Sequence, residues 1–418
     1  MSGFDHRFSR RAMIGAAGAT FLGFPLRQLL ALEGTSHAAK AEHVILFWNG
    51  GGMSHIDTWD PKPGRPTQGE FQAINTSVPG TQISEIFPQL AKQMHHCSLI
   101  RSIAGTQGAH GRATYNLQTS YNQSANLIHP GFGSVVVHEK QKVGDLPAYV
   151  SISGRAPRAS YLGQTCEAYF VGTPGEKDPY LSFPEGITQE RGDRRLERLT
   201  RLNSRFASTG RRDESLKATQ TSISDAVRLM RSPALKAFEL DKVPTTTLNR
   251  YGDTAFGRGA LVAKQLVETG VRFVQINRGG FDTHNENFPA MRNHGEIMDP
   301  ALASLIEDLA ESGMLEKTLV VMLSEFGRTP RINQNAGRDH YPAVFSCFIA
   351  GGGTKPGQVI GASDENGEQP LYRPVNVPDL HATFCHALGI DHEKEVMTPL
   401  ARPMALVDGG KVVSELFA

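Results

Sequence analysis

The chain has 418 residues, with 43 Lys+Arg against 42 Asp+Glu and a formal net charge of +1, so nothing electrostatic recommends nucleic acid or an anionic membrane as partner. At 39% hydrophobic and 20% charged residues it is neither disordered nor membrane-embedded as a whole, and a transporter or fibrous protein is excluded. Four cysteines are too few to staple a chain this long, so burial must supply its stability and a disulfide miniprotein is excluded.

In chain order, Phe8-Ser9-Arg10-Arg11-Ala12-Met13-Ile14 places two arginines before the weakly apolar stretch 14–32. This resembles a twin-arginine export signal. Gly15, Gly18, Gly23, Pro25 and Arg27 make the stretch a poor membrane anchor, and Ala39-Lys40-Ala41 offers a small-x-small cleavage site. The expectation is a signal over 1–41 that engages the twin-arginine export machinery. It is followed by a domain over 42–418, working in the periplasm or outside the cell, with no integral membrane segment after signal removal. Cys97, Cys347 and Cys385 sit in apolar runs, as buried structural thiols do, Cys166 is undecided, and no obligatory disulfide is expected.

Val44–Trp48 is a continuous apolar run that ends in Asn49-Gly50-Gly51-Gly52, the pattern of a strand buried on both faces of a parallel sheet. Similar runs are Cys97–Ile103, Val271–Ile276 after a helical stretch from Leu261, Leu319–Leu323, and Val344–Ala350. Leu302, Leu305, Ile306 and Leu309 recur at helical spacing within Met298–Gly313, with Gly313 as its cap. Helix and strand alternate, which predicts an α/β fold with a doubly wound, largely parallel sheet. Between about 185 and 245, Glu190–Arg201 and Asp213–Arg231 read as a helical excursion packed on the sheet. Asp379 reads as the N-cap of an apolar helix ended by Gly389, with His381 in its first turn in a structural role.

Ligands in open α/β sheets sit beyond the carboxyl ends of the strands, and polar, Gly-rich loops at 50–70, 105–135, 278–295 and 325–342 follow such runs. They bring Asn49, Ser54, His55, Asp57 and Asp60; His110, Arg112 and Thr114, opening a helix; Asp282, His284 and Glu286; and Glu325, Arg328, Asp339 and His340. Carboxylates and imidazoles from four strand ends suit a divalent metal, zinc before manganese or calcium, better than a thiolate site would. Without a cation, such a cluster of acids repels itself.

The motifs GGGMSHIDTWDPKPG, FDTHNEN, LVVMLSEFGRTP, GRDHYPAVFSCFIAGGG and DLHATFCHALGIDHE resemble the domain-of-unknown-function family 1501, from about Glu42 to the C-terminus. That family is related to the alkaline phosphatase and sulfatase superfamily. The resemblance implies an alkaline-phosphatase-like three-layer α/β/α sandwich, a metal site at the strand ends, and hydrolysis of phosphate or sulfate esters of a small molecule or glycan. It also implies one metal position from Asp282, His284 and His340, and a second, altered one from Asn49 or Asp57 with Glu325, where Phe326 replaces a ligand. Alignment through Leu117–Ser120 puts His110 at the nucleophile position, with Thr106 and Thr114 the nearest threonine hydroxyls. His110 then either takes the group directly or is a ligand while a metal-bound water attacks. Arg112 and Arg328 are the candidates to hold the anion. Cys97-Ser98-Leu99-Ile100-Arg101 superficially matches the sulfatase cysteine motif, but Leu99 replaces its proline and the segment reads as a buried strand. The alternative function is a catalytically degenerate relative acting as a binding or scaffold protein. An exported oxidoreductase finds no dinucleotide glycine pattern after the first strand.

Overall fold

The computed structural model describes residues 40–176, 181, 186–208 and 214–417; the export-signal stretch therefore lies outside the described residues, apart from Lys40 and Ala41.

The sheet is built from β1 (His43–Asn49), β2 (Cys97–Ala104), β3 (Tyr149–Ile152), β4 (Tyr169–Val171), β5 (Phe273–Arg278), β6 (Thr318–Leu323), β7 (Phe345–Gly351), β8 (Val359–Ile360) and β9 (Val375–Asn376). Its order is β8-β2-β7-β6-β1-β5-β3-β4, with β9 pairing the same edge of β2 as β8. β1 lies parallel between β5 and β6, and β3 continues the parallel run beside β5. Only β7 is reversed, antiparallel to both β6 and β2. That reversal brings the segment entering β7 to the end of the sheet where its parallel neighbours finish.

Both faces of the sheet are covered, which is why its central strands read as unbroken apolar runs. Side chains alternate strictly: Ile45, Phe47, Val320 and Met322 enter one core, and Val44, Leu46, Trp48, Val321 and Leu323 the other. The first core is closed by α5 (Ala255–Glu268) and α6 (Asn287–Glu311), through residues such as Leu261, Leu266, Leu302 and Leu309. The second is closed by α1 (His110–Thr119), α2 (Phe132–Glu139) and α7 (Val377–Leu388), through Leu117, Val136, Leu380 and Phe384. The result is the three-layer α/β/α sandwich expected from the sequence.

The helical excursion contains α3 (Gln189–Ser208) and α4 (Glu214–Arg231). Leu229 at the end of α4, and Phe238 after it, are buried in the first core. Three boundaries differ from the sequence reading. The long helix starts at Asn287 rather than Met298, because Phe288, Met291 and His294 are already buried on its inner face; most of the supposed loop 278–295 is therefore helix. The strand expected at 271–276 runs over Phe273–Arg278. Asp379 is not the N-cap of α7: it sits three residues inside, and its carboxylate accepts the Asn376 backbone N–H at 2.9 Å, half of a capping box. His381 is buried, with Nε2 2.9 Å from the Leu117 carbonyl oxygen, in the structural role expected.

All four cysteines are buried and free. Cys97 lies in β2, where burial pushes its thiol well above the ordinary range, so it is a core residue as read from the sequence.

Candidate functional site

Four chain segments meet at the carboxyl end of the parallel strands. The Gly50–Gly52 turn after β1 lies against the loop after β5. A Cβ at Gly51, whose φ is +120°, would stand 2.5 Å from the Asp282 backbone nitrogen. Only glycine allows that approach. The β5 loop is fixed from beneath by His294 of α6, whose ring stacks on Phe281 at 3.9 Å between centroids. His294 accepts from Arg278 Nε at 2.9 Å and donates to the Gly280 carbonyl at 3.0 Å. After β6 the chain leaves and returns as a two-residue ladder in which Arg328 pairs with His340. A Cβ at Gly337 would collide with the His284 carbonyl, so the two loops also touch there.

Asp282 is the centre of the cluster. His284 Nε2 and His340 Nε2 both lie 3.1 Å from its Oδ1, and 3.0 Å from each other. His110 Nε2, at the start of α1, lies 3.3 Å from Oδ2. Each imidazole is held by its other nitrogen. Nδ1 of His110 meets Glu325 Oε1 at 2.9 Å, Nδ1 of His284 meets Asp339 Oδ1 at 2.7 Å, and Nδ1 of His340 meets the Gly108 carbonyl at 2.8 Å. A carbonyl or carboxylate only accepts, so Nδ1 donates in all three rings, and in the neutral imidazole the Nε2 turned to Asp282 is the lone-pair atom.

Three lone pairs therefore converge on a carboxylate. That arrangement is repulsive unless a cation sits among them, and the His110 Nε2 atom is buried with no hydrogen-bond partner among the described residues. Asp282 Oδ1 and the Nε2 atoms of His284 and His340 stand 3.0–3.1 Å apart, close to the roughly 3.3 Å between donors sharing one tetrahedral zinc-sized ion. Outer acceptors that fix the ring tautomer are the usual second layer of such a site. Candidate ligand atoms of His110, Asp282 and His340 all lie within 4.8 Å of one another. The residues present fit a divalent cation.

Arg328 supplies a fixed positive charge. Its side chain is fully buried and donates to Asp282 Oδ1. It also donates to the carbonyls of Gly52 at 2.9 Å, Arg338 at 3.0 Å, and Gly51. Burial pushes the Asp282 carboxyl up, but the hydrogen bond from Arg328 and the Arg328 charge outweigh this and bring it down to about 2. The Asp339 carboxyl lies below its ordinary value chiefly through its hydrogen bond with His284.

Not every residue picked from the sequence joins this cluster. Asp57 does not: it is fully buried, its oxygens held by Arg338 at 2.8 and 3.1 Å and by Asn287 at 2.9 Å, and its charge is already matched by the Arg338 guanidinium rather than offered to an ion. Glu325 touches the cluster only through His110, its side chain 2% exposed and also accepting from Gly51 N–H at 2.8 Å. Arg328 faces Asp282 with its hydrogens given to the chain itself, so it has no free fork for a substrate anion. Arg112 is exposed and lines a separate surface cavity. Thr114 is half-buried on α1, and neither it nor Thr106 hydrogen-bonds with Asp282 or the three histidines. Asn49 ends β1 fully buried, its Oδ1 without a partner among the described residues.

The sequence reading missed two participants: the Gly108 carbonyl, which no motif reveals, and Phe326. That ring, noted only as a lost ligand, is buried with its centroid 5.1 Å from His110 and 4.6 Å from His340, forming an apolar floor under both imidazoles.

Fold and site define a three-layer α/β protein with a cation-type histidine–aspartate cluster at its strand ends. The chain belongs to the family described as protein of unknown function (DUF1501), whose match spans residues 41–417. No curated protein matches it. Similar solved structures include Ps i-CgsB, 11% identical over 84% of this chain and 72% of that one, with a TM-score of 0.41. Another is PsFucS1 sulfatase from Pseudoalteromonas sp., 14% identical over 88% and 71%, with a TM-score of 0.38. A third is a TAB5 alkaline phosphatase variant, 13% identical over 79% and 96%, with a TM-score of 0.33.

Proposed function

We propose that the protein is an exported, cation-dependent hydrolase of phosphate or sulfate monoesters. The observation that carries this reading is the orientation of three imidazoles, each with Nδ1 tied to an acceptor and Nε2 aimed at Asp282. The motif resemblance supplies the reaction class, and residues 8–41 supply the export reading. Among the described residues, no helix is long and apolar enough to cross a membrane.

A divalent cation held by Asp282, His284 and His340, with His110 beside them, would polarise an ester oxygen and acidify a water. The remaining work falls to the chain. Glu325, Asp339 and the Gly108 carbonyl hold the rings in one tautomer. Arg328 keeps the Asp282 carboxylate ionised and in place. Phe326 excludes water from beneath the rings, which strengthens every charge interaction above it. The Asp282 and His110 side chains, 48% and 38% exposed, leave the upper side open to an incoming ester. His110, with Nδ1 held by Glu325 and Nε2 turned to the same carboxylate as the other two rings, is placed as a further ligand rather than as the group acceptor, which would leave water as the nucleophile.

The test is metal analysis of the purified protein together with assays on aryl phosphate and aryl sulfate. We expect near-stoichiometric divalent metal, and turnover abolished by Asp282→Ala and His340→Ala. No metal above background, with activity unchanged in both variants, would overturn the reading. The second reading, a degenerate binding protein, draws on the neutral Asn49 and the committed Arg328; hydrolysis lost in Glu325→Ala eliminates it.

A further inference from the structure

The charge balance of the whole chain conceals one strongly basic element. α3 carries six arginines against three acidic residues over Gln189–Ser208, although the chain as a whole is only +1. Its two faces differ. Asp193, Leu196, Glu197, Thr200 and Arg201 recur at helical spacing and line the groove between α3 and α4, and Asp193 pairs there with Arg231 of α4. Arg191, Arg195, Arg198, Leu199 and Leu202 recur at the same spacing on another face, and all five are exposed, Leu199 by 38% and Leu202 by 62%.

Leucines at helical spacing ordinarily mark the side of a helix that packs. Here Leu196, Leu199 and Leu202 belong to neither core, and Arg191, Arg195 and Arg198 form no ion pair among the described residues. Unpaired guanidiniums beside uncovered leucines define what would cover this face. The same face of a second copy, set against it about a two-fold axis, would bring arginine against arginine. A soluble polyanion would meet the arginines and gain nothing from the leucines. A bilayer with anionic headgroups satisfies both: its phosphates accept the planar forks bidentately, while the leucines enter the boundary between headgroups and acyl chains. So many charges keep α3 from spanning a bilayer, and among the described residues no helix is apolar enough to do so; α3 would lie on the surface.

We propose that this face of α3 docks the protein on an anionic phospholipid surface, with Arg191, Arg195 and Arg198 on the phosphates and Leu199 and Leu202 in the interface. Nothing in this surface depends on the cation cluster, so the hydrolase reading and this one fail separately. The test is sedimentation of the full-length protein with vesicles of mixed phosphatidylglycerol and phosphatidylcholine, and with vesicles of phosphatidylcholine alone. The mixed vesicles should bind the protein and the neutral ones should bind it far more weakly. Arg191→Gln/Arg195→Gln/Arg198→Gln should lower the partition coefficient on mixed vesicles about one hundredfold, since each arginine near such a surface is worth about a factor of five. Leu199→Gln/Leu202→Gln should lower it at least roughly tenfold. Glutamine is a good helix former and neither set of positions reaches a core, so the helix persists in both variants. All three proteins share residues 1–41, so a difference between them belongs to α3. Equal binding to the two kinds of vesicle, or an arginine variant that binds as wild type does, overturns the proposal. Binding lost in the arginine variant but unchanged in the leucine variant would make the occupant a soluble polyanion or an acidic protein, and also overturns it.

Discussion

His284 shows how much of a site's behaviour is set one bond away from it. Its Nε2 faces Asp282, but its ring is aimed by Asp339, 2.7 Å from Nδ1. Asp339 is 53% exposed and packs in no core, so its removal leaves the fold intact while freeing the ring to turn and change tautomer. Replacing such an outer partner costs about 10–100-fold in metal affinity. We expect Asp339→Ala to lower zinc affinity by about that factor in competition with a chromophoric chelator, while Asp339→Asn, which retains an acceptor, loses less. Equal affinities in wild type and Asp339→Ala would mean that the His284 ring is oriented by something else.

At the scale of elements, the strand ends were legible and the loops between them were not. The apolar runs locate β1, β2, β5, β6 and β7 to within two or three residues, because strands buried on both faces leave no polar position to blur the pattern. Asp282, His284 and His340 were legible for the same reason: each lies in a polar loop at the end of an apolar run. Asp57 misled because residue type and loop position are all a sequence shows. Its pairing with Arg338 spans 281 residues, and no local pattern announces it. That pair ties the loop after β1 to the hairpin that carries His340, with both side chains fully buried. Arg338 also donates to the carbonyls of Thr67 and Thr329, which leaves it unable to leave the interior. Asp57→Ala should therefore cost about 3–5 kcal/mol in urea unfolding, through the uncompensated guanidinium. The double variant Asp57→Leu/Arg338→Met should cost less than the single one. A single variant within about 0.5 kcal/mol of wild type, the range of an ordinary surface substitution, would refute the account.

The molecule as a whole carries an acid sensitivity that belongs to its packing rather than to its site. His381 lies between α7 and α1, and His294 beneath the β5 loop; both are buried, and burial lowers each to about 4 from an ordinary value of 6.5. In the unfolded chain both bind a proton below about pH 6.5, whereas in the folded chain both stay neutral until about pH 4. The unfolded state therefore binds more protons across this window, and stability rises with pH within it. As pH falls from 7 to 5, each histidine should withdraw about 2 kcal/mol. Asp282, with a carboxyl depressed to about 2, works in a lower window, and its stabilisation, screened by its half-exposed position, survives until pH drops below about 4. Urea midpoints measured at pH 7, 6 and 5 should thus decline steadily well before carboxylates titrate. His381→Gln, whose amide can still donate to the Leu117 carbonyl, should be less stable at pH 7 but show a shallower decline. A midpoint flat from pH 7 to 5, or a slope unchanged in His381→Gln, would mean that the buried imidazoles accept protons without unfolding the layers around them.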